Sequence, residues 1–327
     1  MKYSKDFLLE LYEGMLRIRV CEERLVAPIL SGEIKCPVHL CSGQEGISVG
    51  FCTALERGDY VFGNHRSHGH YLAKGGSLFG LIAEVFCKED GCSLGRGGSM
   101  HLIDPDVGML GSAPIVAGTV SLAVGAALAS SIRNDGRVAV TFFGDGATNE
   151  GVLYEALNLA AVMKLPVLFV CENNLYATHM PIRECRPNPE ILRIAEPFDI
   201  PGKRVEGNDV VEVYEAAREA VGLCRQGNGP YFLECMTYRL RGHVGPDDNI
   251  QGSHTDIRPP SEVEEWKTRD PISRFEMFLL KNRITLPDDL EATRQQIVQE
   301  VDTAFQKAMT CPFPDCGGLL EYVFSRT

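Results

Sequence analysis

The chain has 327 residues, 44% hydrophobic and 23% charged, a balance that supports one large globular domain, with or without helical extensions, rather than disorder. Its formal net charge of -12 argues against a general nucleic-acid footprint, because phosphate backbones need a concentrated Lys/Arg field, although a local basic pocket stays open. Behind Met1, Lys2, Lys5 and Asp6 there is no apolar run that would read as a secretory leader or membrane span, so no membrane association and a cytoplasmic location are expected, and the 12 scattered cysteines read as reduced thiols.

From Ser4 to Leu30 the apolar residues Leu8, Leu11, Met15, Ile18 and Leu25 recur at mixed three and four spacing, which predicts an amphipathic helix packed on the body or on a partner. His39 to His70 concentrates Gly, His, Arg and Asn between short apolar segments and reads as a surface built from loops. Gly118 to Ser130 is an Ala/Gly-rich helix whose small side chains allow close packing on a sheet. Val138 to Phe143, Pro166 to Cys171 and Tyr231 to Met236 are short apolar runs suited to buried strands, and Asn149 to Met163 suits a helix between the first two. Strand, helix, strand implies a parallel pair with a right-handed crossover, hence an α/β fold with a mainly parallel central sheet flanked by helices. Its ligand crevice is expected outside the carboxyl ends of the strands. The organisation expected is an amino-terminal helical arm over 1–38, an α/β domain over 39–270 and a carboxyl-terminal helical extension and tail over 271–327, with helix from Pro271 to Lys307. Cys87 with Cys92 and Cys311 with Cys316 are spaced too loosely for a zinc site and read as buried or terminal-loop thiols.

The most informative segment is Gly144-Asp145-Gly146-Ala147-Thr148-Asn149-Glu150-Gly151, followed by Glu172-Asn173-Asn174-Leu175-Tyr176. Asp145 sits at the exit of one predicted strand and Asn174 at the exit of the next parallel one, so their side chains can converge. Gly146 permits a sharp turn that brings backbone donors near a phosphate, and the helix that follows adds unpaired N–H groups. An all-oxygen set of the Asp145 carboxylate, the Asn174 amide oxygen and the Tyr176 carbonyl suits Mg2+, which completes its octahedron with phosphates and water. Asp145 alone would read as a turn or helix cap, and only the linked Asn-Asn segment reverses that weighting. Gly144, Gly146 and Gly151 do not make a G-x-G-x-x-G, and no P-loop lysine is in place. Arg66 has its own case as a guanidinium fork for phosphate oxygens, against an ordinary surface ion pair.

These segments, with His39-Leu40-Cys41-Ser42-Gly43-Gln44-Glu45, His65-Arg66-Ser67-His68-Gly69-His70, Gly97-Gly98-Ser99-Met100-His101 and Tyr238-Arg239-Leu240-Arg241-Gly242-His243, occur in an order that resembles the alpha subunit of the thiamine-diphosphate-dependent component of 2-oxo acid dehydrogenases, including pyruvate, branched-chain and acetoin-cleaving members. The resemblance runs from the amino-terminal helix to at least Pro271. It implies that Asp145, Asn174 and the Tyr176 carbonyl hold magnesium, that the Gly146 and Ala147 backbone and Arg66 hold the diphosphate, with His65 where several members have tyrosine, and that the Pro114 and Val116 backbone faces the aminopyrimidine. It further implies that His39, His68 and His243 are the catalytic histidines, His39 and His243 flanking the reactive cofactor, with His243 also reaching phosphate and the incoming carbonyl, and His68 organising the loop around Arg66. Glu45 reads as a structural carboxylate anchoring nearby donors. The implied reaction is decarboxylation of a small 2-oxo acid with acyl transfer to a lipoyl group of an acyltransferase partner. The implied assembly is two alpha and two beta chains, with the pyrimidine-activating glutamate supplied by beta. Acyloin-type bond formation or acetoin cleavage is the alternative chemistry, and a catalytically silent assembly subunit the non-enzyme alternative. Two departures stand out: Val244 follows His243 where a phosphorylatable serine is common, and Ile257-Arg258-Pro259-Pro260 replaces a tyrosine-arginine pair, which puts the usual lipoyl docking and standard substrate in question.

Overall fold

The computed structural model describes residues 2–247, 256–318 and 320–321; Asp248, Asn249 and His254 lie outside the described residues. In chain order come α1 (Lys5–Ser31), α2 (Glu45–Thr53), β1 (Tyr60–Gly63), α3 (His68–Ala73), α4 (Leu78–Val85), β2 (Met109–Ser112), α5 (Gly118–Arg133), β3 (Ala139–Gly144), α6 (Gly151–Met163) and β4 (Val167–Asn173). A short ribbon of β5 (Tyr176–Ala177) and β6 (Met180–Pro181) and the single turn α7 (Ile182–Cys185) precede β7 (Gly202–Glu206), α8 (Val210–Arg225) and β8 (Tyr231–Met236). Helices α9 (Pro260–Lys267), α10 (Pro271–Lys281) and α11 (Pro287–Thr310) follow.

Six strands form one sheet in the order β2-β1-β3-β4-β8-β7, and every pair in it is parallel. Side chains alternate across it, as strand geometry requires. Val140, Phe142, Leu168, Val170, Leu233 and Cys235 pack into one core with α1, α2, α4, α8, α10 and α11. Ala139, Phe143, Val167, Phe169, Cys171 and Phe232 pack into a second with α5 and α6. A parallel sheet buried on both faces explains why its strands read as continuous apolar runs.

The sheet order reverses beside β1: the chain crosses through α3 and α4 to reach β2 on one side, then returns through α5 to place β3 on the other. Such a switch point leaves a crevice at the carboxyl ends of β1 and β3, because the two crossovers diverge to opposite faces.

One expectation needs correction. The segment 39–70 is not a surface of loops: it contains α2, β1 and the start of α3, and residues 40–52 and 66–70 are buried. Its Gly and Ser residues allow close packing, since a Cβ on Gly50 would meet the Val210 carbonyl oxygen at 2.7 Å. The helical region expected from about Pro271 to Lys307 consists of two helices separated at 282–286, where Arg283 takes a positive φ of 54° and Pro287 opens the second. Phe275, Leu279, Ile297, Val301 and Phe305 of this pair share the α1 core. No helix of the described residues is long and apolar enough to cross a membrane.

Candidate active site

At the switch point lies a cavity of about 220 Å³, lined by residues leaving β1 (Asn64, His65, Arg66), β3 (Gly144 to Ala147) and β4 (Glu172, Asn174). The β3–β4 register sets Gly144 opposite Glu172, so the two chain exits carrying Asp145 and Asn174 emerge side by side. Asp145 is 1% exposed, and its Oδ2 has no hydrogen-bond partner. Burial pushes its carboxyl up to about 6, against the pull of backbone N–H groups and the charges of Arg239 and Arg66. A buried carboxylate oxygen with no donor is costly unless a cation completes it.

Around it the donor set is oxygen. The Asn174 amide donates to Gln44 Oε1 at 3.1 Å, which fixes the flip, and its Oδ1 accepts the Tyr176 N–H at 3.3 Å. Tyr176 also lines the cavity, and its hydroxyl donates to Glu262 at 2.7 Å. Gly146 has no room for a side chain, because a Cβ there would meet that of Ala177 at 3.0 Å. These residues fit a hard divalent cation carrying a diphosphate. Backbone strain collects here too: Ala117, Leu175 and Thr178 have φ of 58°, 71° and 59°.

Arg66 is buried, donating to the Leu40 carbonyl at 2.8 Å, to the His243 carbonyl at 2.7 Å and to His243 Nδ1 at 3.0 Å. A guanidinium only donates, so His243 Nδ1 accepts and a neutral His243 ring carries its proton on Nε2. The His39 ring stands 4.8 Å from that of His65 and 5.2 Å from that of His243, edge to face. Burial and then the Arg66 charge hold His65 well below the usual histidine range, neutral at physiological pH. The ring nitrogens of His39, His65 and His243 lie within 4.8 Å of one another, a spacing open to a metal, but the adjoining Arg66 guanidinium repels a cation there. Val116 lines the cavity with Ala113, Ile115 and Ala117, whereas Pro114 does not.

His68 stands apart. It is fully buried, with Nδ1 3.0 Å from Glu22 Oε1 and Nε2 2.7 Å from Ser99 Oγ, and does not line the cavity. Glu45 is likewise enclosed, accepting from Arg19 at 2.9 Å and from the Gly43 N–H at 3.0 Å. Several residues that sequence reasoning gave no role belong to the candidate site. Gln44, Glu172 and Arg239 line the cavity, and the His179 ring lies 5.6 Å from that of His243. Arg239 and Gln44 sat inside quoted motifs, but only tertiary contact reveals what they face.

The departure at 257–260 has a structural reading. Arg258 is buried, donating to the carbonyls of Arg239 at 2.6 Å and Arg241 at 2.9 Å and pairing with Asp256, with its guanidinium 4.9 Å from the centre of the Tyr238 ring. It staples the segment that delivers Arg239 and His243. Pro260 opens α9 at a position where a missing N–H costs nothing.

Residues 13–316 match the family model described as the dehydrogenase E1 component. The alpha subunit of acetoin:2,6-dichlorophenolindophenol oxidoreductase from Bacillus subtilis is 39% identical, covering 99% of this chain and 95% of the relative. The pyruvate dehydrogenase E1 component subunit alpha of Porphyra purpurea is 38% identical over 98% of this chain and 94% of the relative. That of Rhizobium meliloti is 37% identical over 97% and 90%.

Proposed function

Because the chain belongs to the dehydrogenase E1 component family, as an alpha subunit of its thiamine-diphosphate-dependent 2-oxo acid dehydrogenases, we propose that it contributes the diphosphate and magnesium half of an active site completed by a beta-type partner. The substrate in this reading is a small 2-oxo acid, decarboxylated with acyl transfer to the lipoyl group of an acyltransferase. The observation that carries it is the convergence of Asp145, whose buried Oδ2 has no hydrogen-bond partner, with Asn174, Tyr176 and the Arg66–His243 pair around one cavity.

Asp145, the Asn174 amide oxygen and the Tyr176 carbonyl would hold Mg2+, and Arg66 with the Gly146 and Ala147 N–H groups would hold the diphosphate. Val116 and its neighbour Pro114 would offer backbone to the aminopyrimidine. Bound thiamine diphosphate supplies the electron sink for decarboxylation. The chain's own part is positioning and charge. His243, with its proton on Nε2, can donate to negative charge developing on the substrate, the neutral His65 lines the same cavity with the His39 ring packed against both, and His68 fixes the segment behind Arg66 from outside the cavity.

Two observations support a partner. Ile115 and Val116, which line the cavity, are 73% and 48% exposed, and α5 and α6 carry the further exposed apolar side chains Leu122, Ile132, Val162 and Met163. Apolar side chains left exposed beside the cavity suit cover by a partner. A two-alpha/two-beta assembly would cover it and bring in the activating carboxylate.

Acetoin cleavage or acyloin formation is the second reading, favoured by the oxidoreductase relative at 39% identity beside pyruvate dehydrogenase at 38%, a difference too small to choose a substrate. The intact cluster of Asp145, Asn174, Arg66 and His243 weighs against a silent assembly subunit. The deciding experiment supplies a purified beta partner and a panel of 2-oxo acids and acetoin, with lipoamide, carbonyl or dye acceptors. Decarboxylation with acyl-lipoamide as product supports the first reading, carbon–carbon products or acetoin consumption the second, and no magnesium-dependent thiamine diphosphate binding in the complex would leave the silent role.

A further inference from the structure

Glu172 lines the cavity yet has no part in the metal or diphosphate set, and what it touches is unusual. It is 2% exposed, with Oε2 accepting from Asn64 Nδ2 at 2.8 Å and Oε1 3.0 Å from His70 Nε2. Asn64 turns its other amide atom to the backbone N–H of Arg66 at 2.7 Å. Only one flip of Asn64 serves both neighbours, since the carboxylate needs a donor and the Arg66 N–H needs an acceptor. The Ser67 hydroxyl donates to the Asn64 carbonyl at 2.6 Å and so accepts from His70 Nδ1 at 3.2 Å, closing the ring of bonds. His70 is itself clamped, its ring stacked on Phe142 with centroids 4.1 Å apart. Ser67 packs so closely on the start of the turn that a Cβ on Gly63 would meet its Oγ at 2.0 Å.

We propose that Glu172 is a positioning residue for Arg66: through Asn64 it fixes the backbone turn that carries the guanidinium to the cavity, with His70 holding the carboxylate in place. The inference rests on the reading of Arg66 as a diphosphate ligand. An arginine on an exposed turn would lose ordering entropy on each binding event, whereas this one is set in advance by β4, the strand that also delivers Asn174. One strand end thus aligns the metal ligand and the phosphate ligand together.

The test uses the complex with its beta partner and measures thiamine diphosphate affinity at fixed Mg2+, and kcat at saturating cofactor, for Glu172→Ala, Glu172→Gln, Asn64→Ala, the Glu172→Ala/Asn64→Ala double variant and Arg66→Ala. Losing one buried charge-assisted bond predicts affinity about tenfold weaker in each alanine variant. The double variant should be no weaker than the singles, because both break the same chain of bonds. In the Glu172 and Asn64 variants the loss should fall more heavily on cofactor affinity than on turnover at saturation, and Glu172→Gln should restore affinity, since an amide can accept from Asn64 and donate to His70. Unchanged affinity in Glu172→Ala, losses that multiply in the double variant, or turnover lost with affinity intact would each overturn the proposal. Wild-type affinity in Arg66→Ala would instead overturn the reading of Arg66, and this inference with it. If Glu172→Ala does not assemble, Asn64→Ala at the partly exposed position carries the same test.

Discussion

Glu22 and Asp145 are both carboxylates buried to 1% exposure or less, and the protein treats them in opposite ways. Burial works against the charge of Glu22, but the His68 ring, the Cys41 N–H at 2.8 Å and the Ser42 hydroxyl at 2.9 Å hold it below the usual carboxylate range. Burial also dominates at Asp145, where too few donors answer it and the carboxyl rises to about 6. Burial alone therefore does not distinguish structure from function. A satisfied carboxylate belongs to the scaffold, whereas the unsatisfied one is the group we propose as a metal ligand.

The largest effect that separates the two is on folding. Glu22→Ala should lower stability by about 3–5 kcal/mol, because His68 and two buried donors lose their acceptor, while Asp145→Ala should not destabilise the cofactor-free chain. Denaturant midpoints of the two variants check this, and similar losses would break the comparison.

Their pH signs also oppose. The raised Asp145 pKa means that the cofactor-free fold is favoured below about pH 4 and penalised as pH rises through about 6, by on the order of 3 kcal/mol if the whole shift is felt. The lowered Glu22 pKa stabilises above the ordinary carboxylate range and is lost as pH falls through its folded value. Asp145→Asn should therefore flatten the stability curve of the free chain between pH 4 and 7, measured by thermal unfolding. A wild-type curve with no slope assignable to Asp145 would contradict the burial account.

Among the histidines the same contrast recurs. His243→Ala should lower kcat about 100-fold while retaining most cofactor affinity, because the metal ligands remain. His68→Ala should act on stability first, because Glu22 loses one of its buried partners and the Ser99 hydroxyl loses its contact with the ring. Steady-state kinetics beside unfolding curves tells them apart, and normal turnover in His243→Ala removes it from the chemistry. The smallest effect belongs to Tyr176→Phe, which loses only the Glu262 bond: cofactor affinity should stay within about twofold if the backbone alone serves the metal.

How far these roles could be read from the sequence depended on locality. The strands Ala139–Gly144, Val167–Asn173 and Tyr231–Met236 fall within one or two residues of the apolar runs that predict them, because both faces are buried. Strands β1 and β2 escaped: four residues each, flanked by glycine and histidine, they take their identity from register with neighbours. The pairing of Asp145 with Asn174 was legible because each follows a readable strand. Glu172, one of the missed site residues, sits two positions from Asn174, yet its partners Asn64 and His70 are over 100 residues away in the chain. No local pattern links them. His68 and His243 look alike in sequence, and only the Glu22 and Arg66 contacts set one into the scaffold and the other at the cavity.

The most direct test of the contrast is calorimetric titration of thiamine diphosphate, with and without Mg2+, into the assembled complex carrying wild-type or Asp145→Asn alpha chain, with circular dichroism as the control for folding. A carboxylate neutralises metal charge that an amide cannot, while the replacement preserves packing. The account predicts magnesium-dependent binding in the wild type, a loss of about 100-fold or more in Asp145→Asn, and unchanged secondary structure. Equal affinity in the two complexes would contradict it.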